Sequence, residues 1–168
     1  EQDGRFTVLS RLLKRSGLTK LLQNRHSTYT LFAPTDEAFE ALPEGTIETL
    51  LAPENFDYLS DVLRTHIVKG TVTVGKIPGA PFPLGTRGSK VTNEYGQELV
   101  YRSSEESQSI DGVGIASFDH LARNGIFHVI DAPLLPPRDS NRRTLEKKGN
   151  YTMFLELMQI AGRRDTLD

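Results

Sequence analysis

The chain has 168 residues, 37% of them hydrophobic and 25% charged, no cysteine, and a formal net charge of −2. A length of this order suits one domain that buries roughly 70% of its unfolded surface and folds without staples. The missing cysteines exclude disulfides, thiolate zinc sites and thiol nucleophiles, and the near-neutral charge argues against a general nucleic-acid binder.

Near the start, Leu9, Leu12 and Leu13, then Leu18, Leu21 and Leu22, follow a helical stripe interrupted by Gly17. This pattern predicts two short helices joined at a C-cap glycine. Thr28 to Ala33 is rich in aromatic and β-branched residues and ends at Pro34, so it reads as a strand. Thr35 is then placed to cap a helix whose first turn holds Asp36 and Glu37, where carboxylates favour the positive end of the helix dipole. A further helix is expected over 46–51, stopped by Pro53. Asn55 should open the clearest helix, with Phe56, Leu59, Leu63 and Ile67 on one face, His66 beside them and Gly70 at its end. Beyond Gly70 the pattern changes to short β segments with turn signals, among them the Pro- and Gly-rich 78–88. Helices first and strands afterwards predict an α+β domain with a mostly antiparallel sheet.

Charge is unevenly spread. Residues 1–30 carry six Lys or Arg against two acids, whereas 31–63 carry eight carboxylates and no Lys or Arg. Such runs read either as solvated faces of amphipathic helices or as a dipolar module suited to end-to-end and charged-polymer contacts.

Residues 139–149 are polar, basic and preceded by Pro136 and Pro137, which predicts a linker. Its Arg142, Arg143, Lys147 and Lys148 join Arg11, Lys14 and Arg15 of the first helix as candidate polyanion contacts. After it, "YTMFLELMQIAGRRDTL" from Tyr151 lies in register with "FTVLSRLLKRSGLTKLL" from Phe6, so that aromatic-Thr pairs, apolar stripes and glycines coincide. That is the mark of a repeated unit. Residues 1–138 are therefore expected to form one domain and 150–168 the opening helix of the next. The chain begins at Glu1 without a basic-then-apolar leader, and reads as a mature product or an excerpt of something longer.

Signatures of catalysis and cofactor binding are missing: there is no G-x-S-x-G, H-E-x-x-H, Walker loop or G-x-G-x-x-G. Four histidines remain, His26, His66, His120 and His128, and no pair has metal-site spacing. His66, beside an apolar helix face, and His128, within an apolar strand, read as core histidines bonded to backbone or polar partners. The sequence thus gives no catalytic residue, cofactor or metal ligand.

Three segments carry a resemblance. "TLFAPTDEAFEAL" at 30–42 and "NGIFHVIDAPLLPP" at 124–137 resemble the two hallmark segments of fasciclin-1 (FAS1) domains, and "VLRTHIVKG" at 62–70 resembles the segment between them that holds the family's Tyr-His motif. The resemblance implies a wedge or sandwich of antiparallel strands with helices packed along it, framed by Thr30, Phe32, Pro34, Thr35, Phe39, Asn124, Gly125, His128 and Asp131. It also implies a secreted or surface-anchored, non-catalytic module. Such modules occur in tandem arrays and contact matrix proteins, receptors, polysaccharides or neighbouring repeats. Adhesion positions carried over from the family fall on Thr65-His66, where the motif's Tyr is replaced, and on Asp119-His120, where an Asp-Ile pair would stand. Asn150 opens an N-Y-T sequon, a glycosylation acceptor in a secreted protein.

Overall fold

The computed structural model describes residues 4–74, 82–83, 90–103 and 107–136. The Pro- and Gly-rich 78–88 lies mostly outside them. The linker 139–149 with Arg142, Arg143, Lys147 and Lys148, the sequon at Asn150 and the segment 150–168 lie entirely outside. Helices come first: α1 (Thr7–Ser16), α2 (Thr19–Leu22), α3 (Asp36–Glu40), α4 (Thr46–Leu51) and α5 (Phe56–Thr65), with β1 (Tyr29–Pro34) between α2 and α3. There follow β2 (Ile67–Lys69), β3 (Val72–Thr73), β4 (Phe82–Pro83), β5 (Lys90–Thr92), β6 (Glu98–Ser103), β7 (Gln108–Ile110), β8 (Val113–Ala122) and β9 (Gly125–Ile130).

Local chemistry accounts for several boundaries. Gly17 takes φ +74° and donates its N–H to Lys14 O, ending α1 in the left-handed conformation that glycine adopts most easily. Thr35 is extended, and its Oγ1 accepts the Ala38 N–H at 3.2 Å, the N-cap bond expected of it. Asp111 and Gly112, both at positive φ, make the two-residue turn between β7 and β8, as a right-twisted hairpin requires.

The expected long helix ends early. It stops at Thr65, His66 is its C-cap, and Ile67 opens β2 instead of adding a helical turn. The cause is tertiary: Ile67 pairs with Leu31, and Phe32 N–H donates to His66 O at 2.9 Å, so the ladder with β1 overrides helical continuation. Gly70, at φ +97°, lies beyond β2. The buried face of α5 is Tyr58, Leu59, Val62, Leu63 and Thr65, whereas Phe56 is 40% exposed. Asn55 does not cap α5 with its side chain, which donates to Thr49 O at 2.7 Å and ties the 3₁₀ turn Pro53–Asn55 back to α4.

Seven strands form one sheet in the order β2-β1-β9-β8-β7-β6-β5. Pairing is antiparallel except between β1 and β9, which run parallel from Tyr29↔Gly125 to Pro34↔Ile130; β3 and β4 form a separate parallel pair. A parallel pair needs a long crossover, and here it is nearly the whole domain. The sheet separates two apolar clusters. Leu9, Leu12, Phe39, Leu59 and Leu63 of the helices pack with Tyr29, Ala33 and Ile67. Phe32, Val68 and Ile130 pack with Val72, Leu99, Tyr101, Ile110 and Leu134. Alternate residues of β1 serve opposite clusters, as the period of two along a strand dictates.

Candidate functional site

Thr65 and His66 sit where α5 hands over to β2, and both are buried. His66 Nε2 accepts the Leu134 N–H at 2.9 Å, which fixes the proton on Nδ1, and Nδ1–H donates to Val62 O at 2.8 Å. Burial lowers the basicity of this imidazole to about 4, against the opposing effect of the Val62 bond. Thr65 Oγ1 lies 2.6 Å from Val62 O and 3.1 Å from Leu134 O, and Thr65 O accepts Asn93 Nδ2 at 3.0 Å. The pair thereby fastens the end of α5 to the chain after β9 and to the turn between β5 and β6.

His128 lies fully buried on β9, its ring tilted against Phe32 at 5.3 Å. Nδ1 accepts the Asp119 N–H at 3.1 Å, so Nε2 carries the proton and donates to Val72 O at 2.8 Å. Its basicity is also lowered, first by burial; the Val72 bond and the Asp119 carboxylate oppose this, and His120 adds to it. Asp119 stands at an irregularity of β8 with φ +61°, and its Oδ1 accepts the Val74 N–H at 2.9 Å. Its side chain is 11% exposed, with Oδ1 3.9 Å from His128 Nδ1. Together these groups pin β3 to the sheet.

The adhesion positions carried over from sequence are therefore not a shared surface. Thr65 and His66 belong to the core, which corrects their reading as contact residues. The Asp119 carboxylate is turned inward, with Oδ1 taken by the Val74 N–H, so it is not presented as a surface contact. His120 is half-buried, stacked on Phe127 at 4.8 Å with Nε2 2.8 Å from Ser117 Oγ. Among the described residues, no three His, Asp or Glu side chains form a group able to hold a metal ion, and no helix is long and apolar enough to cross a membrane.

The motif residues divide their labour within the fold. Thr30 Oγ1 donates to Gly70 O and accepts the Val72 N–H, both at 2.8 Å, closing the turn after β2. Phe32, Pro34 and Phe39 are buried. Gly125 begins β9 so close to β1 that a Cβ there would overlap Tyr29 O. Asp131 donates its N–H to Gly114 O at 3.2 Å, and its carboxylate occupies the space that a Cβ at Gly114 would need.

Two polar roles have no signal in the sequence. Asp36 accepts Thr7 N–H and Thr7 Oγ1–H on Oδ2, at 3.1 and 2.6 Å, and Val8 N–H on Oδ1 at 2.8 Å. It thus caps α1 from the start of α3, and although burial works the other way, these bonds hold its pKa below the usual carboxylate range. Asn124 supplies more than a turn: its Nδ2 donates to Leu22 O at 2.7 Å and is 3.2 Å from Asn24 O, binding the β8–β9 hairpin to the end of α2. On the solvent side of α1, Arg11, Lys14 and Arg15 are exposed, with the Arg15 guanidinium 5.7 Å from the centre of the Phe56 ring.

Comparison with known proteins gives concordant matches. The family model described as Fasciclin domain matches residues 4–136. Protein sll1483 of Synechocystis is 34% identical over 79% of this chain and 68% of its own length. Transforming growth factor-beta-induced protein ig-h3 of rabbit (Oryctolagus cuniculus) is 34% identical over 80% of this chain, which spans only 18% of that protein. Among solved structures, a FAS1 domain pair from the insect cell adhesion molecule Fasciclin I aligns with TM-score 0.63 at 19% identity, covering 82% of this chain and 49% of that one. That last likeness concerns the fold.

Proposed function

The chain belongs to the Fasciclin domain family, and from that premise we propose that it is a non-catalytic interaction module working outside the cell or at its surface. Its partners in this reading are matrix proteins, cell-surface receptors or polysaccharides, engaged through exposed side chains. One observation carries the reading: the polar groups with chemical potential, His66, His128, Thr65 and Asp119, have their hydrogen-bonding capacity spent inside the fold. With these four groups held as fasteners, recognition in this reading falls to the exterior side chains. The fold likeness to a domain pair of a cell adhesion molecule supports the same view. We read residues 1–138 as one bead of a tandem array, 139–149 as its linker and 150–168 as the start of a following repeat.

A second reading rests on Arg11, Lys14 and Arg15, three cations exposed on one helix: the bead captures sulfated or carboxylated polysaccharides. Retention on a heparin column separates the two. Polyanion capture requires strong retention at 50 mM NaCl that weakens steeply with salt, because charges more than about 10 Å apart are screened near 0.1 M. It also requires that Arg11→Glu with Arg15→Glu abolish retention. Cell attachment to surfaces coated with the domain tests the protein-contact reading: attachment per folded molecule is expected to be unchanged by Asp119→Ala, which removes a fastener and no contact. Selective loss of attachment by a folded Asp119→Ala variant would restore that carboxylate as a receptor ligand.

A further inference from the structure

Between α1 and the parallel pair β1–β9 lies a groove of about 730 Å³ open to solvent. Phe6, Leu9 and Leu13 of the helical side face Leu31 and Phe127, which are register partners on the two strands. Arg11 and Lys14, one helical turn apart and both exposed, also line it, and no Asp or Glu stands among the described lining residues. Among the described residues the trough is thus apolar with cations along one side, in a chain of net charge −2 whose residues 31–63 hold eight carboxylates.

We propose that this groove binds a single-chain amphiphile with an anionic head, a medium- or long-chain carboxylate, its tail along Leu9, Leu13 and Phe127 and its head at Arg11. The volume falls within the range of roughly 300–1,000 Å³ usual for small-molecule sites, which are mostly apolar with a few charged groups that orient the ligand. The guanidinium of Arg11 suits a carboxylate because its planar fork makes two parallel hydrogen bonds. Both walls are held in place before any ligand arrives. Asp36 pins the first turn of α1 through three hydrogen bonds, and Phe6 meets Phe127 edge-on with ring centroids 6.0 Å apart. Such preorganisation avoids an ordering cost on binding. Arg15, the third cation of the helix, is not in the lining and stands over Phe56 instead, which makes it an internal control for unspecific charge attraction.

The test uses the full 168-residue chain with 8-anilinonaphthalene-1-sulfonate as the fluorescent probe. Decanoate and laurate are expected to displace it, laurate about tenfold more tightly because two more methylenes leave water. Decanol should compete at least tenfold more weakly than decanoate. Arg11→Glu should weaken laurate about tenfold or more, and Ser10→Trp, which fills the groove from α1, should abolish displacement. Arg15→Glu should stay within about twofold of the parent, since it sits outside the lining. Far-UV circular dichroism and urea midpoints verify folding, and exposed Arg11 keeps the test decisive if Ser10→Trp does not fold. The proposal fails if laurate does not displace the probe, if decanol competes as well as decanoate, or if Arg11→Glu and Arg15→Glu lower affinity alike. Binding only to phosphatidylglycerol vesicles, or only to an acidic amphipathic peptide, likewise overturns it.

Discussion

His66 already uses both ring nitrogens, giving Nδ1–H to Val62 O and taking the Leu134 N–H on Nε2, so a second proton must expel the Leu134 amide inside the core. Its folded-state value of about 4 lies below the unfolded value near 6.5. The unfolded chain therefore binds the proton first as pH falls. Stability is complete above pH 6.5, declines between 6.5 and 4, and levels off below; the loss from His66 alone is roughly 2 kcal/mol at pH 5. His128 is shifted in the same direction and deepens the decline. Urea unfolding at pH 7 and pH 5 measures it. His66→Gln, which keeps a donor and an acceptor without titrating, should flatten the pH dependence while costing stability at pH 7. An unchanged slope would place the responsible proton uptake elsewhere. The apolar neighbours of both histidines mark them as core residues in the sequence, but Leu134 and Val72, their backbone partners, are 68 and 56 positions away and leave no trace there.

Among elements, α1 shows how a helix is capped by a distant residue. Its own N-cap position, Phe6, offers no side-chain acceptor, and Asp36 supplies one from 28 and 29 residues away. Asp36→Ala should cost about 1 kcal/mol, within the span of roughly 0.5–2 kcal/mol seen for lost caps. Amide exchange at Thr7 and Val8 should quicken more than at Leu59 in α5. Because the folded-state pKa of Asp36 is depressed, its contribution is present above pH 4 and lost as pH falls through the lower folded value, a window below that of His66. Equal exchange at Thr7 in variant and parent would refute the capping role. Elements fixed by local chemistry were legible in sequence: the Gly17 stop, the Thr35 cap, the helix at 46–51 and the break at Pro53. The end of α5 was not, because the ladder from Ile67 to Leu31 decides it, and apolar Ile67 satisfies a helical stripe and a buried strand equally well. The parallel pairing of β1 with β9 was hidden for the same reason: alternation along each strand specifies faces and not neighbours.

For the whole molecule, the sheet with its two apolar clusters is interior scaffolding, and what varies at the surface is charge: cations along α1 and carboxylates over 31–63. The two hallmark segments and the one between them locate the scaffold in sequence because they hold buried residues and fasteners. The same property leaves the recognition surface unmarked, since an exposed Arg11 or Lys14 resembles any solvated helix face. A surface of scattered charges binds weakly when presented once, as each exposed pair is worth at most about 1 kcal/mol. Presented repeatedly along a chain with short flexible linkers, later contacts form at millimolar effective concentration, and avidity rises by about 10²–10⁴ without any new contact. A polypeptide of three tandem copies is therefore expected to dissociate from a matrix-coated sensor at least about a hundredfold more slowly than residues 1–138, with the advantage shrinking as salt is raised from 0.05 to 0.5 M. Lengthening each linker with Gly-Ser repeats should reduce the gain gradually. If three copies and one copy dissociate at the same rate at low salt, repetition does not supply the affinity, and binding must reside in a single strong site on one bead.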